Sequence, residues 1–382
     1  MSKDNFDYNK IKEDFYISSV CLGLTNACNM RCRYCFTSPS PKYMSLATAI
    51  SSVMWIKQNQ GNVQNTHINF FGGEPMLMFD EVIKPLIEWS NEMNISKISY
   101  GMTTNGTLLN EERIKWLAEN KVSILLSIDG GPKTQNYNRV LLSGEDSFTK
   151  VADNIPCLLA YHPNTTFRAT AYPDTVEYTY ENYLWAKALG FKSYFVMPDE
   201  FSEWSPEKIK IFVEQLNQVY WEHYNSLTKE EDFPAMKDFF NMVYEIMGIP
   251  LYDIEKPYLR CGLGTTGLGI GTNGDIYGCQ EHLTYDHSSP FFLGNIFDGG
   301  IDDNRRERLI KMYMDGSPEN CHLCPSHCWG VFKNLKDETK IHKIWREATR
   351  ISCWEILKDA AETHNQIFLD YIRDHNFMGE GL

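Results

Sequence analysis

The sequence predicts an α/β chain: a partial (β/α)6 barrel of the TIM type, followed by a small cysteine-rich domain. Between residue 18 and about 198, short apolar runs rich in β-formers alternate with segments whose apolar residues recur at helical spacing. Repetition of strand, helix and strand implies a parallel sheet with right-handed crossovers, and such a sheet can curl into a barrel. After residue 258 the character changes to glycine-rich, hairpin-forming sequence that leads into a second group of cysteines. With 382 residues, 43% of them hydrophobic, the chain can bury a large core and a smaller one.

Residues 1–17 open MSKDNFDYNKIKEDF, which is charged and has no apolar segment, and form an N-terminal extension. The strand runs are Ser18 to Thr25, His67 to Gly73, Lys97 to Gly106, Val122 to Asp129, Thr166 to Tyr172 and Ser193 to Pro198. In parallel α/β barrels the working residues sit at the C-terminal ends of strands. A cysteine-bearing loop follows the first run, Gly72-Gly73-Glu74-Pro75 ends the second, Thr103-Thr104-Asn105-Gly106 the third and Ser127-Ile128-Asp129-Gly130 the fourth, so all four converge on one face. From Pro206 to Leu227, Ile209, Phe212, Val213, Leu216, Val219 and Tyr220 share one helical face, and the barrel domain is expected to span residues 18–240. Residues 241–382 form the second domain. There Asn273-Gly274 is a hairpin-turn signal, and 341–376 reads as helix with Trp345, Ile351, Trp354, Ile356 and Ile367 as core candidates.

A net charge of −14 and a pI near 5.2 disfavour nucleic acid and anionic membrane as partners, and no stretch is long and apolar enough to span a bilayer. The expectation is an acidic cytoplasmic protein. Eleven cysteines without a signal peptide favour metal or redox chemistry over a disulfide framework, and nine of them fall into two groups, 28–35 and 261–353. Cys21 and Cys157, on an apolar strand and a helix, read as small buried hydrophobes.

Cys28-Asn-Met-Arg-Cys32-Arg-Tyr-Cys35 places three thiols at Cys-x3-Cys-x2-Cys spacing. Three thiolates can hold three corners of a cubane iron–sulfur cluster and leave the fourth iron open, whereas ferredoxin clusters and structural zinc sites are closed by four ligands. A zinc site that borrows a fourth ligand from elsewhere is the alternative. Together with the three other strand-end motifs, the spacing resembles the radical S-adenosylmethionine (SAM) superfamily. That resemblance implies a [4Fe–4S] cluster on Cys28, Cys32 and Cys35, with the amino and carboxylate groups of SAM on its open iron. One-electron cleavage would then give a 5′-deoxyadenosyl radical that abstracts hydrogen from substrate. It also implies that Gly72, Gly73 and Glu74 bind the SAM amino group, that Tyr34 lies against the adenine, and that Ser127 contacts the ribose or carboxylate. Asn105 and Asp129 are further cofactor-binding candidates or turn formers. Arg139 and Arg168 are partners for a SAM or substrate carboxylate, or else solvated ion pairs. A reductant such as flavodoxin or ferredoxin is implied as partner.

The second group, Cys261, Cys279, Cys321, Cys324, Cys328 and Cys353, resembles the SPASM/twitch-like extension that houses one or two auxiliary iron–sulfur clusters in radical SAM enzymes acting on peptides and proteins. Gly274-x4-Cys279 and Leu293-Gly294-Asn295-Ile296 belong to the match. The family's Cys-x2-Cys-x5-Cys-x3-Cys is here Cys-x2-Cys-x3-Cys, with Phe332 beyond it, so one ligand is missing. His282 or His327 could supply it. A structural zinc knot is the alternative. His287 and His342 read as surface or turn residues.

The resemblance implies two enzyme functions. One is a maturase of ribosomally made peptides that installs a thioether or carbon–carbon crosslink in a precursor peptide. The other is an anaerobic sulfatase-maturing enzyme, converting cysteine or serine to formylglycine. Sulfatase maturases characteristically carry Gln before Gly-Gly-Glu-Pro and an aspartate base after the cysteine of the Gly-x4-Cys element. Phe71 and Gln280 stand at those places here, with Glu281 next in line as a candidate base. Many peptide maturases carry an N-terminal leader-binding domain, which residues 1–17 are too short to form. A zinc-stabilised interaction protein is the non-enzyme alternative.

Overall fold

The computed structural model describes residues 7–37, 39–249, 256–259, 262–316 and 340–374. Its strands are β1 (Ser19–Thr25), β2 (Met30–Cys32), β3 (Thr66–Gly72), β4 (Ile98–Thr104), β5 (Ser123–Ser127), β6 (Arg139–Leu141), β7 (Thr166–Ala171), β8 (Ser193–Pro198), β9 (Gly267–Ile270), β10 (Asp275–Tyr277), β11 (Phe292–Asn295) and β12 (Gly300–Ile301). The six predicted runs are β1, β3, β4, β5, β7 and β8, paired in parallel in that order. Helices connect them, and their starts follow local chemistry. The Ser45, Asn110 and Ser205 side chains accept backbone N–H groups at the first turns of helices Leu46–Asn59, Glu111–Glu119 and Pro206–Thr228.

Strand alternation separates two environments. Val20, Leu22 and Leu24 of β1, with Ile68 and Phe70 of β3, are fully buried in one core with Val53 and Ile56 of the first of these helices and Ile114 and Leu117 of the second. The opposite face carries Cys21, Asn69, Thr103, Ser127 and Arg168, all half-buried. Asn69 donates to the Thr103 hydroxyl at 3.0 Å across this polar lumen.

The second domain does not stand apart from the barrel sheet. β9 pairs in parallel with β1, from Ser19 opposite Gly267 to Leu22 opposite Ile270. The Asn273-Gly274 turn, with Gly274 at φ 87°, then reverses the chain into β10, as its sequence predicts. One sheet therefore runs β12-β11-β10-β9-β1-β3-β4-β5-β7-β8, and β2 with β6 makes a separate ribbon.

Helices Lys340–Glu362 and Gln366–Asp374 return to the flank of the barrel and pack against helices Pro206–Thr228 and Lys237–Ile246. Tyr224 Oη donates to Asp359 at 2.9 Å, and Arg346 pairs with Glu245 at 3.0 Å. Of the tail's core candidates, Trp345 and Ile356 are buried, but Ile351, Trp354 and Ile367 are exposed. The buried stripe runs instead through Trp345, Thr349, Cys353, Ile356 and Ala360, at helical spacing. Among the described residues no helix is long and apolar enough to cross a membrane.

Candidate functional site

The cysteine loop leaves β1 and is fastened by the glycine motif that ends β3. The Gly73 N–H donates to the Thr25 carbonyl at 2.7 Å and the Glu74 N–H to the Ala27 carbonyl at 2.9 Å. Any Cβ at Gly72, held at φ 129°, or at Gly73 would run into those same two carbonyl oxygens, so only glycine permits the approach. The Glu74 carboxylate is buried and already engaged: Oε1 accepts from the Met76 amide (3.0 Å) and the Thr104 hydroxyl (2.7 Å), and Oε2 from the Asn105 amide (2.8 Å). It ties the end of β3 to the end of β4. Asn105 likewise faces the loop, donating to Asn29 Oδ1 at 2.9 Å.

A second tie comes from Asp129. Its side chain is fully buried and accepts from Tyr34 Oη (2.5 Å), Asn138 Nδ2 (3.0 Å), Arg139 Nε (3.0 Å) and the Thr170 amide (3.0 Å). Asp129 is therefore neither a turn former nor open to a ligand. It gathers the cysteine loop, β6 and β7 about one charge. Arg139 is 7% exposed and committed to that carboxylate, which corrects the view of it as a surface ion pair. β6 also pairs directly with the loop through β2, with Cys32 opposite Arg139.

Burial pushes the Cys28 thiol up to about 11 and the Cys32 thiol up to about 12, and all three thiols lie within range of one another's charge. Buried thiols of this kind ionise when a metal replaces their protons. Among the described residues, no group of three or more Cys, His, Asp or Glu side chains is close enough to share a single ion. Three thiols carried on one loop can hold three irons of a cubane cluster.

A cavity of about 340 Å³ opens beside the loop, lined by Tyr34, Cys35, Phe36, Asp199, Phe201, Ser202 and Glu281 among others. Ser127 stands half-buried at the end of β5. Glu281 reaches the cavity because the segment after Cys279 folds over the barrel mouth. Leu283 there packs on Gly23 of β1 and Gly269 of β9, where a Cβ would come within 3.0 and 2.9 Å of its methyl groups. Burial raises the Glu281 carboxyl to about 7, against the opposing pull of Arg168. A smaller cavity brings Phe71, Gly72 and Gly73 together with Gln280 and Glu281. Asp199, Phe201 and Ser202 escaped the sequence reading, although the strand-end rule applied to β8 points at them.

Of the second cysteine group, Cys261, Cys321, Cys324 and Cys328, together with His327, lie outside the described residues. Cys279 is half-buried, with its Sγ 3.5 Å from Gln280 Oε1. Cys353 is fully buried in the helical layer with its Sγ on the Phe239 carbonyl at 3.8 Å, and its candidate co-ligands Cys321, Cys324 and Cys328 lie outside the described residues. His282 is buried and stacks on Phe291 at 3.5 Å between ring centroids. His342 corrects its surface assignment: it is fully buried and pairs with Glu200 at 2.8 Å.

Residues 22–200 match the Radical SAM superfamily. A cysteine-type anaerobic sulfatase-maturating enzyme of Clostridium perfringens is 28% identical over 345 residues, 82% of this chain and 88% of that protein. The solved structure of native anSMEcpe with bound AdoMet superposes with a TM-score of 0.69 at 21% identity, covering 93% of this chain and 99% of the other. Streptococcus suis SuiB bound to its precursor peptide SuiA gives a TM-score of 0.60 at 15% identity, covering 87% and 78%. At such identities the two structural likenesses concern the fold.

Proposed function

We propose, from the premise that residues 22–200 are a radical SAM domain, that this enzyme modifies a ribosomally made precursor peptide and installs a thioether or carbon–carbon crosslink. Its cofactors are SAM and a [4Fe–4S] cluster. When bound they supply a 5′-deoxyadenosyl radical, and the protein's part is to hold and orient them. Cys28, Cys32 and Cys35 are the thiols for the cluster. Gly72, Gly73, Tyr34 and Ser127 border the place for SAM. Cys279 and the cysteines outside the described residues are the candidates for auxiliary iron–sulfur ligation, and a flavodoxin or ferredoxin is the natural reductant.

The observation that carries the crosslinking reading is the pair Phe71 and Gln280, which line one small cavity beside Gly72 and Gly73. These are the two positions at which the chain departs from the sulfatase-maturase pattern, and both departures meet at the site. A neutral amide cannot take a proton at physiological pH, and a phenyl ring offers no acceptor. The second reading is formylglycine formation. It is favoured by the 28% identity with the sulfatase-maturating relative across most of both chains, and it would make Glu281, in the same cavity, the base.

Accurate mass after anaerobic incubation with SAM and reductant separates the two. A cysteine-containing precursor encoded beside this gene is expected to lose two hydrogens. Replacement of a thiol by an aldehyde in a sulfatase-motif peptide, with no change in the precursor, would overturn the ranking.

A further inference from the structure

The electron that starts the chemistry comes from outside the chain, and the surface around the cysteine loop differs in charge from the rest of the molecule. The chain carries 50 acidic side chains against 36 lysines and arginines, yet residues 15–73 contain no aspartate or glutamate. Residues 130–144, which bring β6 to the loop, contain none either. Arg31, Arg33 and Lys42 of the first segment are exposed. Arg31 Nη1 donates to the Cys28 and Met30 carbonyls at 3.2 and 2.7 Å, and Arg33 Nε to the Tyr137 carbonyl at 2.8 Å, so both cations are held at the loop by carbonyl oxygens. The Lys42 carbonyl accepts from the Thr25 hydroxyl at 2.9 Å and the Asn26 amide at 3.0 Å, which sets Lys42 beside the start of the loop. Two large apolar side chains share this surface. Tyr43, 53% exposed, is bridged to Thr25, and Leu142, 57% exposed, donates its N–H to the Asn29 carbonyl at 3.0 Å. The acids that flank the second segment are engaged: Asp129 holds Arg139, and Glu145 pairs with Lys150 at 2.6 Å. Exposed apolar side chains set among such cations suit a small, electrostatically steered encounter better than a permanent complex.

We propose that this face, with Arg31, Lys42, Tyr43 and Leu142 at its centre, is the docking surface for a small acidic one-electron carrier protein of the flavodoxin or ferredoxin type. The inference rests on residues 22–200 being a radical SAM domain, and it holds for either peptide reaction. The carrier is oxidised by one electron, which reduces the cluster from its 2+ to its 1+ state, and no bond or proton has to move. Electron transfer falls steeply with distance, so a carrier is useful only where it can approach the cysteine loop closely. A net charge of −14 repels an acidic protein from most of the surface. An acid-free basic face at the loop reverses that repulsion locally, and so selects the orientation in which the carrier arrives as well as its rate of arrival.

The test is equilibrium binding of an oxidised flavodoxin, and separately of a ferredoxin, to the reconstituted holoenzyme at low and physiological ionic strength. Iron content and cluster reduction by dithionite are recorded for each variant. The wild type is expected to bind at least one carrier at low salt and to lose roughly tenfold in affinity at physiological salt. Lys42→Glu and Leu142→Glu alter exposed side chains on separate segments, so loss of iron in one leaves the other to decide. Each should weaken the carrier by roughly fivefold or more, with iron content and dithionite reduction as in the wild type. Lys210→Glu makes the same change of charge on helix Pro206–Thr228 and should alter binding by less than about twofold. Carrier binding unchanged in both loop-side variants, or weakened as much by Lys210→Glu, overturns the assignment. So does weakened binding of the peptide substrate in place of the carrier, which would give this face to the peptide. A wild type whose cluster dithionite cannot reduce would instead bring down the radical SAM site and the inference with it.

Discussion

Buried carboxylates in this protein do different work according to what surrounds them. Glu74 and Asp129 each accept from three or more donors and act as fasteners, whereas Asp238 is buried with only partial compensation. Tyr220 Oη donates to its Oδ2 at 3.2 Å, while Oδ1 has no partner among the described residues. Burial raises the Asp238 carboxyl to about 6. Between about pH 4 and 6 the folded chain keeps this proton and the unfolded chain does not, so stability falls as pH rises through that window and levels off above it. Asp238→Asn is expected to remove this slope and raise the melting temperature at pH 7, by an amount equivalent to at most about 3 kcal/mol. Unchanged pH dependence of melting in the variant would contradict it. At this scale the cysteine spacing was legible because ligand spacing is local. The tasks of Glu74 and Asp129 were not, because their partners Thr104, Asn105 and Thr170 are distant in sequence.

The element that matters most for chemistry is the cysteine loop, and among the described residues regular strand pairing reaches it through the short β2–β6 ribbon. Its shape depends on two ties, the Gly72-Gly73 approach and the Asp129 hub. Asp129→Asn removes the charge that holds Arg139, and breaking a buried pair costs about 3–5 kcal/mol. Amide exchange over residues 28–35 should then quicken at least tenfold, and iron uptake on reconstitution should fall by half or more. Exchange rates equal to wild type would show that the hub is dispensable. Gly73→Ala forces a methyl group into the Ala27 carbonyl, and a loss of roughly 3 kcal/mol or of soluble protein is expected in denaturant melts. The strands were legible from β-rich apolar runs almost to the residue. The tail helix was legible as a helix but not in its phase. Ile351 and Trp354 were favoured for hydrophobicity, yet the neighbouring helices lie along the stripe through Cys353 and Ile356.

At the scale of the whole molecule, the barrel and its extension share one sheet, and the tail helices cover the barrel flank. A chain ending at residue 249 would lose β9 from the edge of β1 and uncover the face where Phe239 and Tyr220 pack. Such a piece is expected to be insoluble or protease-sensitive. A soluble, protease-resistant product in limited proteolysis would show that the barrel folds alone. Cys353→Ala in the intact chain should leave the iron content per chain unchanged while lowering the melting temperature. Loss of about four irons from a folded variant would restore Cys353 as a ligand. By itself the sequence determined the strand–helix alternation, the hairpin at Asn273-Gly274 and the three-thiol loop, because periodicity, turn chemistry and ligand spacing are properties of adjacent residues. Only the tertiary structure decided that β9 completes the barrel sheet, that Glu74 and Asp129 fasten the loop, that Cys353 belongs to a helical core, and that Asp199 faces the cavity. Those facts are contacts between residues far apart in the chain, fixed by which surfaces bury one another.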